Sequence, residues 1–257
     1  MSSKTALSVC SHPDDAEFVC TGTMALLKKT GWDIQIASMT AGDCGSATLS
    51  PDEISTIRRK EGADAAAVLE GQYHCLECRD AFIMYDKPTL MKVIELLRRV
   101  RPAVVFAPSP QDYFADHEIT SQLVRTACFC CGIPNIVTPG VGPYKSVPHL
   151  YYADPTGLVD IFGTEIIPSI YVDISSVIQT KEKMLFCHRS QRDWLLAHHG
   201  MDQYIESMKA YAAQRGAQCG VRYAEGLRQH LGQGYPQDNI LKTELAGFIK
   251  DRPACSR

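Results

Sequence analysis

The run Ser11-His12-Pro13-Asp14-Asp15-Ala16-Glu17 sets an imidazole and two adjacent carboxylates directly after the apolar stretch 6–10 and directly before Phe18-Val19-Cys20-Thr21-Gly22-Thr23. Such a charge cluster at the end of a buried strand is costly unless a cation or a reaction uses it. A helix cap alone needs one acid, not two acids and a histidine. Imidazole beside carboxylate is the donor chemistry of a metal hydrolase. A second cluster, Pro110-Gln111-Asp112-Tyr113-Phe114-Ala115-Asp116-His117, follows the apolar run 103–107.

The surrounding pattern supplies elements that bring the two clusters together. A strand over 5–10 leads into a helix reaching about residue 30, and a second strand covers 34–39. Ser50-Pro51-Asp52-Glu53 has the cap, proline and third-position glutamate of a helix start, and that helix runs to about residue 69. A weaker strand at 72–76 and a helical stripe of Leu90, Val93, Ile94, Leu97 and Val100 precede the buried strand 103–107. Strand alternating with helix predicts an α/β fold: a Rossmann-like, mostly parallel sheet flanked by helices. In the strand order 3-2-1-4, strands one and four are neighbours at the switch point, so His12, Asp15 and His117 converge. Two imidazoles and a carboxylate, with a fourth position left for water, match a catalytic zinc shell. The positive ends of the two helices favour neutral imidazole there.

Beyond about residue 140 the pattern predicts strands at 148–153 and 167–172 and helices at 201–213 and 221–230. These C-terminal helical and strand additions are expected to wall the pocket of a single domain, 1–257, whose Rossmann-like core is about 1–140. They are also expected to carry the contacts of a homo-oligomer.

Composition narrows the function classes. With 45% hydrophobic residues in 257, a sizeable core is available. Twenty-six basic against 29 acidic residues, net −3, leave no broad footprint for nucleic acid or an anionic membrane. No apolar stretch approaches the ~20 residues of a membrane span. The eleven cysteines read as reduced thiols, which predicts a cytoplasmic protein. Cys75-Leu76-Glu77-Cys78 and Cys128-Phe129-Cys130-Cys131 lack paired CxxC spacing and read as small buried groups rather than a zinc or redox site. A dinucleotide-binding oxidoreductase fails at the first turn, which has no G-x-G-x-x-G and whose acids would repel a pyrophosphate.

Four motifs in order resemble the PIG-L/LmbE-like zinc-dependent N-deacetylases: His12-Pro13-Asp14-Asp15-Ala16-Glu17 with Gly22-Thr23; Arg58-Arg59-Lys60-Glu61; Asp116-His117; and Val172-Asp173-Ile174, Lys181 and His188-Arg189-Ser190-Gln191. The resemblance covers roughly residues 5–195. It implies one zinc ion per chain held by His12, Asp15 and His117, with Asp14 as the base that takes a proton from the metal-activated water and hands it to the leaving amine. It places Asp116 as an acid that orients a neighbouring ligand and Arg58 on the substrate side of the pocket. The implied substrate is a small N-acetylated amino sugar or its conjugate.

Many members of that family carry His-x-Asp-His where this chain has Phe114-Ala115-Asp116-His117. Phenylalanine neither donates a hydrogen bond nor shuttles a proton, and losing one such donor costs ~3 kcal/mol in a transition state. Tyr113, Arg58 or His188 compensates, Phe114 forms an apolar wall for a different substrate, or the chain is a metal-dependent lyase or an impaired binding member. Arg58 also reads as an ion-paired helix-face arginine. His188 shares a face with Ile178 and Leu185 and reads as a core histidine as well as a substrate contact. His149 and His198-His199 remain unassigned.

Overall fold

All six residues of strand β1 (Thr5–Cys10) are buried because it lies inside an eight-stranded sheet with layers on both faces. The computed structural model describes residues 4–199 and 204–250, with the side chains of Trp194 and 196–199 outside that description. The sheet order is β3-β2-β1-β4-β5-β7-β6-β8. Strands β2 (Asp33–Thr40), β3 (Gln72–Cys78), β4 (Val104–Ala107) and β5 (His149–Ala153) run parallel with β1. The expected 3-2-1-4 order is therefore present. It is extended by β6 (Ile170–Asp173), β7 (Ala224–Gln229) and β8 (Ile249–Lys250) in antiparallel pairing.

The first helix is broken where a continuous one was expected. α1 (Asp15–Val19) and α2 (Thr21–Lys29) meet at Cys20, whose φ is −146°. The break exposes the first N–H groups of α2, and Glu225 of β7 accepts from Gly22 N at 2.8 Å, Thr23 N at 2.7 Å and Thr23 Oγ1 at 2.6 Å. A carboxylate is the favoured partner for such a helix end. Lys181, itself buried, completes the pair with Glu225.

Helix α3 (Pro51–Ala67) begins with the expected Ser50–Glu53 capping box. α4 (Lys87–Val100) turns Val93, Ile94 and Leu97 fully inward, and α5 (Ala115–Cys130) leaves the loop after β4. Each such fully buried aliphatic side chain contributes about 1.5–3 kcal/mol. Cys128 and Cys131 are buried in the same layer, and burial pushes the Cys131 thiol up to about 11.

The segment 221–230 is not a helix, contrary to expectation: its centre forms β7, inserted between β5 and β6. Gly226 explains the reversal. A Cβ there would lie 2.2 Å from Asp154 Oδ2 and 2.4 Å from Pro168 Cγ, and glycine is a poor helix former in any case. α6 (Ile178–Leu185), α7 (Arg189–His199), α8 (Tyr204–Cys219) and α9 (Ile240–Glu244) complete the chain. Of the helix expected at 201–213, residues 201–203 lie outside the described residues, and α8 extends past its predicted end. Among the described residues no helix is long and apolar enough to cross a membrane.

Candidate metal centre

The loop after β1 folds back on itself: Ser11 N and His12 N donate to Asp15 Oδ2 at 3.0 and 2.8 Å, which aims that carboxylate at the end of the strand. The loop after β4, the neighbouring strand, delivers His117 on the first turn of α5. Three donor atoms then form a nearly equilateral triangle: His12 Nδ1 to His117 Nε2 3.3 Å, His12 Nδ1 to Asp15 Oδ2 3.4 Å, and His117 Nε2 to Asp15 Oδ2 3.5 Å. Donors about 2.0–2.1 Å from a tetrahedral zinc ion are about 3.3–3.4 Å apart. The residues present fit such an ion.

The far nitrogen of each ring is held by carboxylate. His12 Nε2 lies 3.1 Å from Asp80 Oδ1 and 3.3 Å from Asp116 Oδ2, and His117 Nδ1 lies 3.0 Å from Asp112 Oδ1. These contacts fix which nitrogen faces the triangle and make it a better donor. Asp116 also accepts from Ala81 N at 2.9 Å and Ile83 N at 3.4 Å, which ties the loop after β3 to the site. Burial opposes protonation of His117, but Asp15 and Asp112 outweigh it and hold its pKa up at about 9. His12 is raised in the same way against burial by Asp15, Asp116 and Asp80, and burial of Asp15 is overridden by the two imidazoles, which lower it. The triangle thus attracts positive charge, which protons supply when no cation is there.

Asp14 stands beside the triangle in the left-handed region, at φ 104°, a conformation that costs a non-glycine residue about 1–3 kcal/mol. Its Oδ1 lies 3.3 Å from Arg58 Nη2, and its Oδ2 accepts from the Tyr204 hydroxyl. Arg58 is 2% exposed, donates to Pro13 O at 2.9 Å, and packs against Gly42 (φ +69°), where a Cβ would come within 2.3 Å of the guanidinium. Burial raises the Asp14 pKa, with Arg58 only partly offsetting it.

Phe114 caps the start of α5 and stacks on His12, with ring centroids 5.4 Å apart and an 11° interplanar angle. Tyr113, 65% exposed, stands edge-on to His117 at the cavity rim. His188 is placed differently: it is 1% exposed, packs inside with Nε2 3.6 Å from Glu17 Oε2, and does not line the cavity. His149 contacts Asp238, and the side chains of His198 and His199 lie outside the described residues.

The triangle opens into a cavity of about 400 Å³. Its wall carries the carboxylates of Asp14, Asp15, Asp80, Asp112 and Asp154; apart from the imidazoles, the only cation among its described lining residues is Arg58. Sequence reasoning singled out the three triangle residues, Asp14, Asp116 and Arg58, but missed Asp80, Asp112 and Tyr204. Asp80 lies two residues past β3, and an acid just past a parallel strand of the sheet was a usable signal. Asp112 lay inside the second cluster. Tyr204 is 190 residues from Asp14 and carried no local signal.

Fold and site together define an α/β protein with a candidate three-donor metal site at the switch point of its sheet. The chain belongs to the PIG-L/LmbE-like family: the family described as "PIG-L: GlcNAc-PI de-N-acetylase" matches residues 7–128. It is similar in structure to the N,N'-diacetylchitobiose deacetylase of Pyrococcus horikoshii solved with its inhibitor MPG, at 27% identity and TM-score 0.76, covering 92% of this chain and 88% of that one. A conserved protein of Thermus thermophilus is 30% identical with TM-score 0.73, covering 91% and 98%. The 4-oxalmesaconate hydratase of Pseudomonas putida is 25% identical over 246 residues, 88% of each chain.

Proposed function

We propose that the protein is a zinc-dependent amidase that removes the acetyl group from a small N-acetylated amino sugar or its conjugate. The observation that carries this reading is the donor triangle of His12, Asp15 and His117 with the buried carboxylate of Asp14 set against it. Zinc held there would supply a water of pKa ~7 and polarise the amide carbonyl.

The chain's own residues do the rest. Asp14, raised by burial, is suited to accept a proton and return it to the leaving nitrogen. Its Oδ1 is the oxygen for that exchange, because its contact with Arg58 is long at 3.3 Å whereas Tyr204 engages Oδ2. Arg58 and Tyr204 steady that carboxylate. Asp116 and Asp80 orient His12, and Asp112 orients His117. Phe114 supports the His12 ring and walls the pocket, while Tyr113, its neighbour in the chain, brings a second hydroxyl-bearing ring to the wall. His188 acts from behind, against Glu17.

The relatives include both a deacetylase and a hydratase whose substrate, by its name, is a carboxylate. Beside the ion the triangle would hold, the one cation among the described lining residues, Arg58, is already bonded to Pro13 and Asp14, so no side chain is left to pair with a second carboxylate and a neutral amide is favoured. The test is fluorescamine detection of released amine across a panel of N-acetylated sugars, with metal content measured alongside. Asp14→Asn should lose ~100-fold or more in turnover with zinc retained. No amine from any sugar, with hydration of an unsaturated dicarboxylate instead, would sink the reading.

A further inference from the structure

Tyr113 follows Asp112 in the loop after β4 and lines the cavity that holds the triangle. Asp112 Oδ1, which faces His117 Nδ1 at 3.0 Å, also accepts from Tyr113 N at 2.8 Å, so one carboxylate fixes both a metal donor and the backbone of this tyrosine. The Tyr113 ring stands 5.4 Å from the His117 ring at 90° and 6.0 Å from the Phe114 ring at 29°, and Phe114 lies 5.4 Å from His12 at 11°. His12, Phe114 and Tyr113 are thus a stack of three rings that leads outward from the metal donors, nearly buried at His12 and open at Tyr113.

A tyrosine that is 65% exposed cannot have both ring faces covered, so Phe114 and His117 leave one of them bare. Its hydroxyl has no hydrogen-bond partner among the described residues. A lone exposed aromatic is ordinary on a protein surface. This one is fixed at its backbone, stacked on one side and set on a cavity wall, which makes its bare side a preorganised apolar plane. A pyranose presents the matching surface: the axial C–H groups of one face, with its hydroxyls around the edge. Stacking there buries those groups at little entropic cost, since a tyrosine ring has only two side-chain torsions. Tyr113 also touches His117, one of the three donors, so a sugar lying on it would carry its acetamide within reach of the metal site.

We propose that the bare face of Tyr113 is a stacking platform for the pyranose ring of the substrate. The ring, rather than the hydroxyl, is what the sugar meets. The identity of the substrate rests on the amidase reading, but the platform is read from binding and the amidase from released amine, so the two fail separately.

Zinc-loaded protein carrying Asp14→Asn, which blocks turnover, is titrated with methyl N-acetyl-β-glucosaminide and followed by proton NMR of the sugar. The axial ring protons of one face should move upfield on binding, because they lie over an aromatic ring. Adding Tyr113→Leu should abolish that shift and weaken binding by about 5–10-fold, the scale of ring stacking, with zinc content unchanged, whereas Tyr113→Phe should keep the shift and bind within about twofold. If the leucine variant does not fold, Tyr113→Trp takes its place, and its larger ring should enlarge the shift. Ring protons that do not move, a shift that survives Tyr113→Leu or is unaltered by Tyr113→Trp, loss of binding in Tyr113→Phe, or no sugar binding at all overturns the platform. Sugar that stacks on Tyr113 but releases no amine from the parent protein would overturn the amidase instead.

Discussion

Asp112→Asn tests how the metal donors are held. The substitution keeps an Oδ1 acceptor for Tyr113 N, now at 2.8 Å, so the loop retains its shape, but it removes the charge facing His117 Nδ1 at 3.0 Å. At 3% exposure of that side chain, water cannot replace the lost charge. Charge-assisted hydrogen bonds are about twice as strong as neutral ones, and losing such a partner costs about 10–100-fold in metal affinity, or about 1.4–2.8 kcal/mol. His12 has two carboxylates on its far nitrogen, at 3.1 and 3.3 Å. Asp80→Asn leaves Asp116 in place and should cost less, about 3–10-fold. Zinc dissociation constants measured by competition with a fluorescent chelator, at one pH and with melting curves for both variants, give the comparison. An Asp80→Asn protein weakened as much as Asp112→Asn, or an Asp112→Asn protein within twofold of the parent, would refute the reasoning.

Three further outcomes are expected. Stripping zinc with a chelator should lower Tm by about 10 °C, since a ligand at 1,000 times its Kd stabilises the folded state by about 4 kcal/mol; an unmoved Tm in protein verified to be zinc-free contradicts a site in the folded core. Tyr204→Phe keeps the ring edge-on to Phe18 at 5.1 Å but removes the donor to Asp14 Oδ2. Its kcat should fall about 10-fold with KM and zinc content unchanged, and a loss of zinc instead would move Tyr204 into the metal's support. Phe114→His places an imidazole where a ring now stacks on His12, so turnover on N-acetyl sugars should stay level or fall, and a several-fold gain would show that the missing donor limits the reaction.

The half of the molecule legible in the sequence is the half built by local pattern. Apolar runs at 6–10 and 103–107 fixed neighbouring strands, and their loops had to share a crevice, so His12, Asp15 and His117 met as expected. Ser50 and Glu53 announced their helix because a capping box is complete within four residues. Where the controlling partner was distant, local pattern failed. Residues 221–230 read as a helix until β5 and β6 supplied hydrogen bonds on both sides and Asp154 filled the space above Gly226. The break at Cys20 depends on Glu225, and the support of Asp14 on Tyr204, neither of which any spacing near residue 14 could reveal.

The bond from Glu225 to the start of α2 also sets an order of events during synthesis. A chain emerging from the ribosome presents His12, Asp15 and His117 long before residue 225 appears, and until then the N–H groups of Gly22 and Thr23 lack their carboxylate and β5 lacks its β7 neighbour. The described lining of the pocket ends at Tyr211, so β7, made later, backs that wall rather than forming it.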